Sequence, residues 1–268
     1  MDATLQHQST MSVKISGVII TYNEEDFIGR CLESMKDVVD EIIIVDSYST
    51  DKTEDISKKY NAVFIKREFE GFGNQKNFAV QQASHNYVLC LDADEALSDE
   101  LRKSILKVKN NWQKDTYWVK RRSFYCGKWM NYSGKYPDKK IRLFDRRKAA
   151  WVERLVHETV QAEDPKNTET LKGDLKQIEY NSYFDHIDKI NYYSTLSAQE
   201  YLKNGKKSSL VKILFRPSWA FFRAYFLQLG FLDGKQGFVV SCLTAHSAFL
   251  KYVKLYGLQN GHVIKNRK

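Results

Sequence analysis

No stretch of this chain is apolar for long enough to cross a bilayer. The longest uncharged run, Gln236 to Leu250, has 15 residues and includes Ser, Thr, Gln and His. A spanning helix needs about 20 apolar residues, so a simple transmembrane anchor is not expected. Cysteine is sparse, at Cys31, Cys90, Cys126 and Cys242, and no two stand at the spacing of a metal-ligand pair. Four scattered thiols in a chain of this length predict a reducing compartment and argue against a disulfide framework. The start, MDATLQHQSTMSVK, lacks the apolar core of a secretion signal, and residues 1–12 are expected to be a flexible extension. Proline occurs only at 137, 165 and 217. There is no internal repeat, no low-complexity linker and no Gly-rich phosphate loop, which argues against a nucleotidyltransferase that cradles phosphates in such a loop. Acid is missing from one end: residues 203–268 hold 12 Lys or Arg and a single acid, Asp233. The preceding 202 residues are close to neutral, with 30 bases against 32 acids. A basic tail on a neutral body points to an anionic partner for the tail.

What is present builds a core. The 15 Phe, 16 Tyr and 5 Trp exclude a disordered chain. Residues 15–22, ISGVIITY, form an apolar, β-branched run and predict a buried strand. An acid-rich segment, Asn23-Glu24-Glu25-Asp26, follows and predicts a helix start that suits the positive end of the dipole. Residues 41–46, 61–66 and 87–92 predict three more strands, and 74–84 a helix. Thr50 or Asp51 is placed to cap the helix carrying Ile56. Strands alternating with helices in this way predict a parallel sheet covered on both faces. Such sheets take ligands beyond the carboxyl ends of their strands. Tyr22-Asn23, Asp46 and Asp92-Ala93-Asp94 all fall at such ends, so three polar sites far apart in sequence should converge on one crevice.

The chemistry of these residues is specific in type. Hard divalent cations take oxygen ligands, and Mg²⁺ uses one or two carboxylates together with substrate phosphates. Strand alternation would turn Asp92 and Asp94 to the same side, toward one metal–diphosphate cluster. Asp46 is either a hydrogen-bond acceptor for a nucleoside or a cap for the next helix. Lys76 is either a partner for a base carbonyl or phosphate, or a solvated helix lysine. Arg142, in the alternating segment Lys140 to Phe144, is either the cation for a diphosphate or a solvated strand arginine.

Ile-Thr-Tyr-Asn-Glu-Glu at 20–25, Ile-Ile-Val-Asp-Ser-Tyr-Ser-Thr-Asp at 43–51 and Leu-Asp-Ala-Asp-Glu at 91–95 stand in this order. Together they resemble glycosyltransferase family 2. The resemblance implies an α/β GT-A fold, Rossmann-like, with a mostly parallel sheet flanked by helices. Tyr136-Pro137-Asp138, the segment 140–144, Val156-His157-Glu158, Gly205-Lys206-Lys207, the run from Phe231 to Gly237 and Lys251-Tyr252-Val253-Lys254 are similar to the branch of lipopolysaccharide-core β-glucosyltransferases. The resemblance implies inverting transfer from a UDP-sugar with Mg²⁺ or Mn²⁺. By it, Thr21, Asn23, Glu24 and Asp46 bind the nucleoside, with Tyr22 beside them. Asp92 and Asp94, with Ala93 between, bind ribose, diphosphate and metal. The acceptor hydroxyl needs a general base, and Glu158 is the first candidate, on an expected strand from Leu155 to Gln161. Glu153, Asp138 and Asp145 are the others, and His157 is a minor one.

The division expected is a GT-A catalytic domain over 13–185 and a basic helical region over 186–268. A helix over 187–202 should stop at Gly205. Beyond it, apolar and aromatic residues from Leu210 to Leu232 interleave with Lys206, Lys207, Lys212, Arg216 and Arg223. That pattern suits an anionic membrane surface. The alternative is packing on the core or on a second copy in a homo-oligomer. No nucleic-acid module is recognisable. The combined expectation is a cytoplasmic enzyme, peripheral on the inner face of the cytoplasmic membrane, acting on a glycolipid acceptor. Its competitors are a polyprenyl-phosphate sugar synthase and a non-catalytic membrane or RNA adaptor on the same fold.

Overall fold

The structure, a computed structural model, describes residues 12–152 and 158–262. The expected extension therefore lies, apart from Ser12, outside the described residues, as do Glu153, Val156 and His157. The elements alternate as anticipated: β1 (Ile15–Thr21), α1 (Ile28–Met35), β2 (Glu41–Asp46), α2 (Thr53–Lys58), β3 (Val63–Lys66), α3 (Phe72–Gln81) and β4 (Tyr87–Asp92). Then come β5 (Glu95–Leu97), α4 (Asp99–Asn110), β6 (Thr116–Tyr125), β7 (Lys128–Trp129), β8 (Asp138–Asp145), β9 (Ala149–Val152), β10 (Thr159–Ala162) and β11 (Thr168–Tyr180). Three long helices close the chain: α5 (Tyr183–Lys203), α6 (Leu210–Phe222) and α7 (Gly234–Gln259).

The chain clusters into two compact units. The first holds residues 12–120, 139–152 and 159–175; the second holds 121–138, 158 and 176–262. Residues 121–138 thus group with the C-terminal helices, which the linear division at 185 does not express.

In the first unit the main sheet runs β3-β2-β1-β4-β8-β6-β11-β5, and β9 and β10 form a separate antiparallel pair. β3, β2, β1 and β4 are parallel, and β8 joins β4 antiparallel. Both faces of β1, β2 and β4 are buried, which is why their sequences read as continuous apolar runs, while β3 at the sheet edge stays partly exposed. Alternation sends Ile15, Ile19, Ile42, Ile44, Leu89 and Leu91 to one face, against Ile28, Leu32 and Met35 of α1 and Leu101 and Ile105 of α4. Val18, Ile43, Val45, Val88 and Cys90 face the other way, against Ala79 and Val80 of α3 and against Trp151. A Cβ at Gly17 would lie 2.7 Å from the Met35 Cε and 3.2 Å from both Val39 methyl groups, so these side chains fill the space that the glycine leaves over β1. The acids at 24–26 do not start α1. The helix begins at Ile28 with none in its first turn, and the acids belong to the loop before it.

In the second unit, the far ends of β6 and β11 and strand β7 share a small core with α7, built on Tyr125, Met130 and Val240. Serines at 182 and 209 accept backbone N–H groups at the starts of α5 and α6, the usual N-cap chemistry. His186 of α5 is 8% exposed, and its Nδ1 lies 2.8 Å from the Tyr125 hydroxyl. Its ring stacks on Tyr180 with centroids 4.3 Å apart.

Burial, reinforced by the charge of Lys135, pushes the His186 pKa down to about 4. In the unfolded chain it titrates near ~6.5. Between those values the unfolded state binds a proton that the folded state refuses, so stability falls as pH drops through the window. Urea titrations should lose about 2–3 kcal/mol more between pH 7 and pH 4.5 in the wild type than in His186→Gln. Equal losses would mean that His186 titrates normally in the fold.

Candidate active site

Strand register sets the site. Thr21 at the end of β1 pairs with Asp46 at the end of β2, and Ile20 pairs with Asp92 at the end of β4. The three polar strand ends therefore stand side by side on the carboxyl edge of the parallel sheet, as the sequence requires. The Thr21 Oγ1 is buried and has no hydrogen-bond partner among the described residues, an unfavourable state that a bound polar group would relieve.

Side chains stitch the loop after β1 to the loop after β2. Asn23 adopts φ 53°, a left-handed conformation that asparagine tolerates. Its backbone N–H donates to the Ser49 Oγ at 2.8 Å, and its Oδ1 accepts from the Thr50 N–H at 2.9 Å. The Glu24 N–H donates to Thr53 Oγ1, the Glu25 N–H donates to Asp51, and the Lys52 N–H donates back to Glu25. Asp51 also accepts from the Thr53 N–H and hydroxyl, which ties down the start of α2. Asp46 is fully buried, and its two oxygens accept from the N–H and the hydroxyl of Ser49. It does not cap α2 directly. It fixes Ser49, which in turn fixes Asn23. Tyr22 is left exposed at the rim.

At the end of β4 the charges form a compact cluster. The Lys76 Nζ is 2.7 Å from one Asp92 oxygen, and the Arg142 Nη2 is 2.6 Å from the other. The same Nη2 is 2.6 Å from Glu95, whose second oxygen accepts the Asp92 N–H at 3.0 Å. Lys76, Arg142 and Glu95 are buried, and Asp92 reaches solvent in part. Burial opposes the Arg142 charge, but Asp92 and Glu95 outweigh it and hold its pKa above the usual value. The Lys76 Nζ sits 4.5 Å from the centre of the Trp151 ring, a cation–π contact. Asn77 holds that indole's backbone at both its N–H and its C=O. Both cations are thus ion-paired inside the fold, and the solvated alternatives for Lys76 and Arg142 are excluded.

Asp94 is placed differently from expectation. β4 ends at Asp92 and the chain turns through Ala93 and Asp94, so strand alternation does not relate the two carboxylates. Ala93 is buried in the core. Asp94 is half-buried in the turn, and its backbone carbonyl accepts from the Arg30 guanidinium at 2.6 Å. Among the described residues no group of three or more His, Cys, Asp or Glu gathers for a metal. The donors still fit Mg²⁺ or Mn²⁺ in the form that needs few protein ligands, one or two carboxylates plus phosphate oxygens. Cys31, beneath the site, is no nucleophile. Burial foremost, with Glu95, Asp94 and Asp92 adding, raises its pKa well above the ordinary thiol value.

Of the general-base candidates, Asp145 is excluded. It pairs across from Tyr87 at the start of β4, five residues from Asp92, or roughly 17 Å along the strand, and it is held by Arg147. Asp138 takes two hydrogen bonds from Arg121. Glu158, half-buried, immediately precedes β10, so the strand expected from Leu155 is described only from Thr159. Its charge helps to raise the Tyr193 phenol pKa, after burial and Tyr192.

Sequence reading missed Glu95, Ser49 and Trp151. Glu95 stood inside the Leu-Asp-Ala-Asp-Glu motif, and Ser49 inside the motif after β2. An isolated tryptophan in a polar segment was the one signal for Trp151.

The mixed sheet and its polar carboxyl edge have the architecture expected of a GT-A fold. The profile of glycosyl transferase family 2 matches residues 16–226, and the chain belongs to that family. It is 31% identical over 261 residues to the lipopolysaccharide core biosynthesis glycosyltransferase LpsC of Rhizobium meliloti, covering 94% of each chain. It is 32% identical over 252 residues to an uncharacterized glycosyltransferase of Rickettsia typhi, covering 90% of this chain and 86% of the relative. Among solved structures it is similar to S. aureus TarS in complex with UDP-GlcNAc, at 18% identity and a TM-score of 0.47, covering 94% and 93% of the two chains.

The charge cluster generates a stability prediction. Arg142→Met leaves Glu95 buried without its cation and should cost about 3–5 kcal/mol. Asp94→Ala, in a turn outside the strand, should change stability by less than ~0.5 kcal/mol. Urea unfolding of the two variants checks both, and a mild effect of Arg142→Met would mean that the cluster is not a structural unit.

Proposed function

We propose that this chain transfers a hexose, glucose, from a UDP-sugar to a lipid-linked core oligosaccharide of lipopolysaccharide type, with inversion at the anomeric carbon. The observation that carries the reading is the alignment of Thr21, Asp46 and Asp92 on one sheet edge. The choice of acceptor is supported by the similarity to LpsC along nearly the whole chain.

Thr21, Asn23 and Glu24 line the nucleoside site, with Asp46 behind them holding Ser49 and Asn23 in place. Asp92, oriented by Lys76 and Arg142, accepts from ribose hydroxyls. Asp94 would hold a divalent cation together with the diphosphate, and that cation would neutralise charge on the departing phosphate. The acceptor hydroxyl forms a bond to the sugar C1 while the bond from C1 to the diphosphate oxygen breaks. The bonding pair leaves with UDP, and Glu158 takes the hydroxyl proton. A single displacement of this kind inverts the anomeric centre. As part of this proposal the reaction takes place at the inner face of the cytoplasmic membrane. Among the described residues no helix is long and apolar enough to cross a membrane, and the basic tail suits attachment to an anionic surface.

UDP release measured with UDP-glucose, a divalent cation and core glycolipid tests the reading. Turnover with polyprenyl phosphate and none with core glycolipid would replace the acceptor class. Asp94→Ala should lower turnover at least about a hundredfold with the fold intact, and near-normal turnover at saturating donor would remove the metal role. Glu158→Gln should lower kcat by roughly 10²–10⁴-fold with little change in the Kd for the UDP-sugar. A normal kcat would pass the base role to Asp138 or Glu153.

A further inference from the structure

We propose that the outward face of α6, with the turn that follows it, is an in-plane docking surface for an anionic lipid bilayer. The proposal deepens the reading of a lipid-linked acceptor and rests on it for the biological setting.

The sequence of α6 is LVKILFRPSWAFF, and none of its 13 residues is buried. Leu214 is 67% exposed, Phe215 70% and Trp219 53%. At ~100° per residue, Leu210, Leu214, Val211, Phe222, Phe215 and Trp219 fall in sequence around about half the helix circumference. Lys212, Arg216 and Arg223 occupy the adjoining arc. The remaining arc, with Ala220, Ile213 and Pro217, is half-buried, and so is Phe221 at its border, between Leu210 and Leu214. Phe221 stacks on Tyr225 and meets Phe238 of α7 edge-on. The helix is therefore anchored along one arc and turns its largest apolar side chains to solvent. Phe226, Leu227, Phe231 and Leu232, all exposed, prolong the patch beyond the helix end. A contiguous apolar surface of this kind marks an interaction site.

Charge selects the occupant. Lys206, Lys207, Arg216 and Arg223 are exposed beside the patch. No acid occurs from 203 to 232. Asp233, the one acid of the tail, is 1% exposed and accepts the backbone N–H groups of Asn131 and Tyr132. A second copy of the same face would bring cation against cation. Anionic headgroups over acyl chains match both the basic arc and the apolar arc. A 13-residue helix is about 20 Å long and a bilayer core is about 30 Å thick, so α6 lies in the interface and does not cross it.

Vesicle flotation with the full chain tests this. The vesicles are phosphatidylglycerol with phosphatidylethanolamine, or phosphatidylcholine alone. The wild type should float with the anionic vesicles and not with the neutral ones, with binding weakened but not abolished by high salt. A Phe215→Gln/Trp219→Gln double variant should bind at least about tenfold more weakly. A variant with Gln at positions 206, 207, 216 and 223 should bind roughly a hundredfold more weakly. All the substituted side chains are exposed, so circular dichroism should show both variants folded. Asp94→Ala should float like the wild type, which separates this test from the fate of the transfer chemistry. Equal flotation with both lipids, or variants that bind like the wild type, would overturn the proposal. No flotation at all would overturn it too. If sedimentation then showed a dimer that the double variant abolished, the face would belong to a second copy.

Discussion

Two buried cations and two carboxylates at the end of β4 hold together most of what defines the site. Removing a charge from water costs several kcal/mol even after relaxation, so Lys76, Arg142 and Glu95 are tolerable inside the fold only as a set. Each takes its position from a different element: Lys76 from α3, Asp92 from β4, Glu95 from β5 and Arg142 from β8. The set fixes the antiparallel strand beside the parallel ones and fixes α3 over the sheet. Trp151 extends the contact to β9 through the Lys76 cation and the two bonds to Asn77. Asp92, the one member partly open to solvent, is held at both oxygens before any ligand arrives. A carboxylate pinned in this way loses little orientational freedom on binding, which is how a site acquires precision before substrate enters.

The loop pair across from it works on the same principle with neutral donors. Asp46 is as deeply buried as Glu95, and its two oxygens are satisfied by the N–H and the hydroxyl of Ser49. Ser49 passes the constraint to Asn23, whose left-handed backbone needs such support. A chain of short hydrogen bonds thus carries the rigidity of the sheet out to the loop where the nucleoside is proposed to sit.

The three inner parallel strands, β1, β2 and β4, were legible because they are buried on both faces. Apolar runs ended by Thr21, Asp46 and Asp92 mark both the strands and the edge where they stop, and β4 falls on the residues expected, 87–92. Helix boundaries were less legible. The acids at 24–26 suit a helix dipole, yet they lie in the loop before α1, where the Glu24 and Glu25 N–H groups and the Glu25 carboxylate bond to residues 51–53. The pairing of β8 with β4 was not legible, nor was the union of Arg142 with Glu95, 47 residues apart. Periodicity reports that a residue is buried and not which residue it meets. For the same reason Lys76 and Arg142 could be read as solvated, since a lone cation in a polar segment gives no sign of a buried partner.

In the tail, composition and structure say different things about the same residues. The sequence shows a basic segment rich in aromatics, which an ordinary helical bundle would also produce. The bundle alternative predicts that those aromatics are internal. For α7 that holds in part: Val240, Tyr252 and Leu255 are buried. For α6 only Phe221 is packed inward, while Phe215, Trp219 and Phe222 are exposed. A helix of this length is marginal in water on propensity alone, and Pro217 sits within it. Its anchorage on Tyr225 and Phe238 uses one arc of its surface and leaves the larger apolar arc unpaired. The burial of Asp233 completes the asymmetry, because the tail's one carboxylate serves the backbone at 131–132 and offers nothing to the outside. A surface that is apolar, cationic and free of exposed acid over 203–262 has the complement of a lipid interface, whichever sugar the active site transfers.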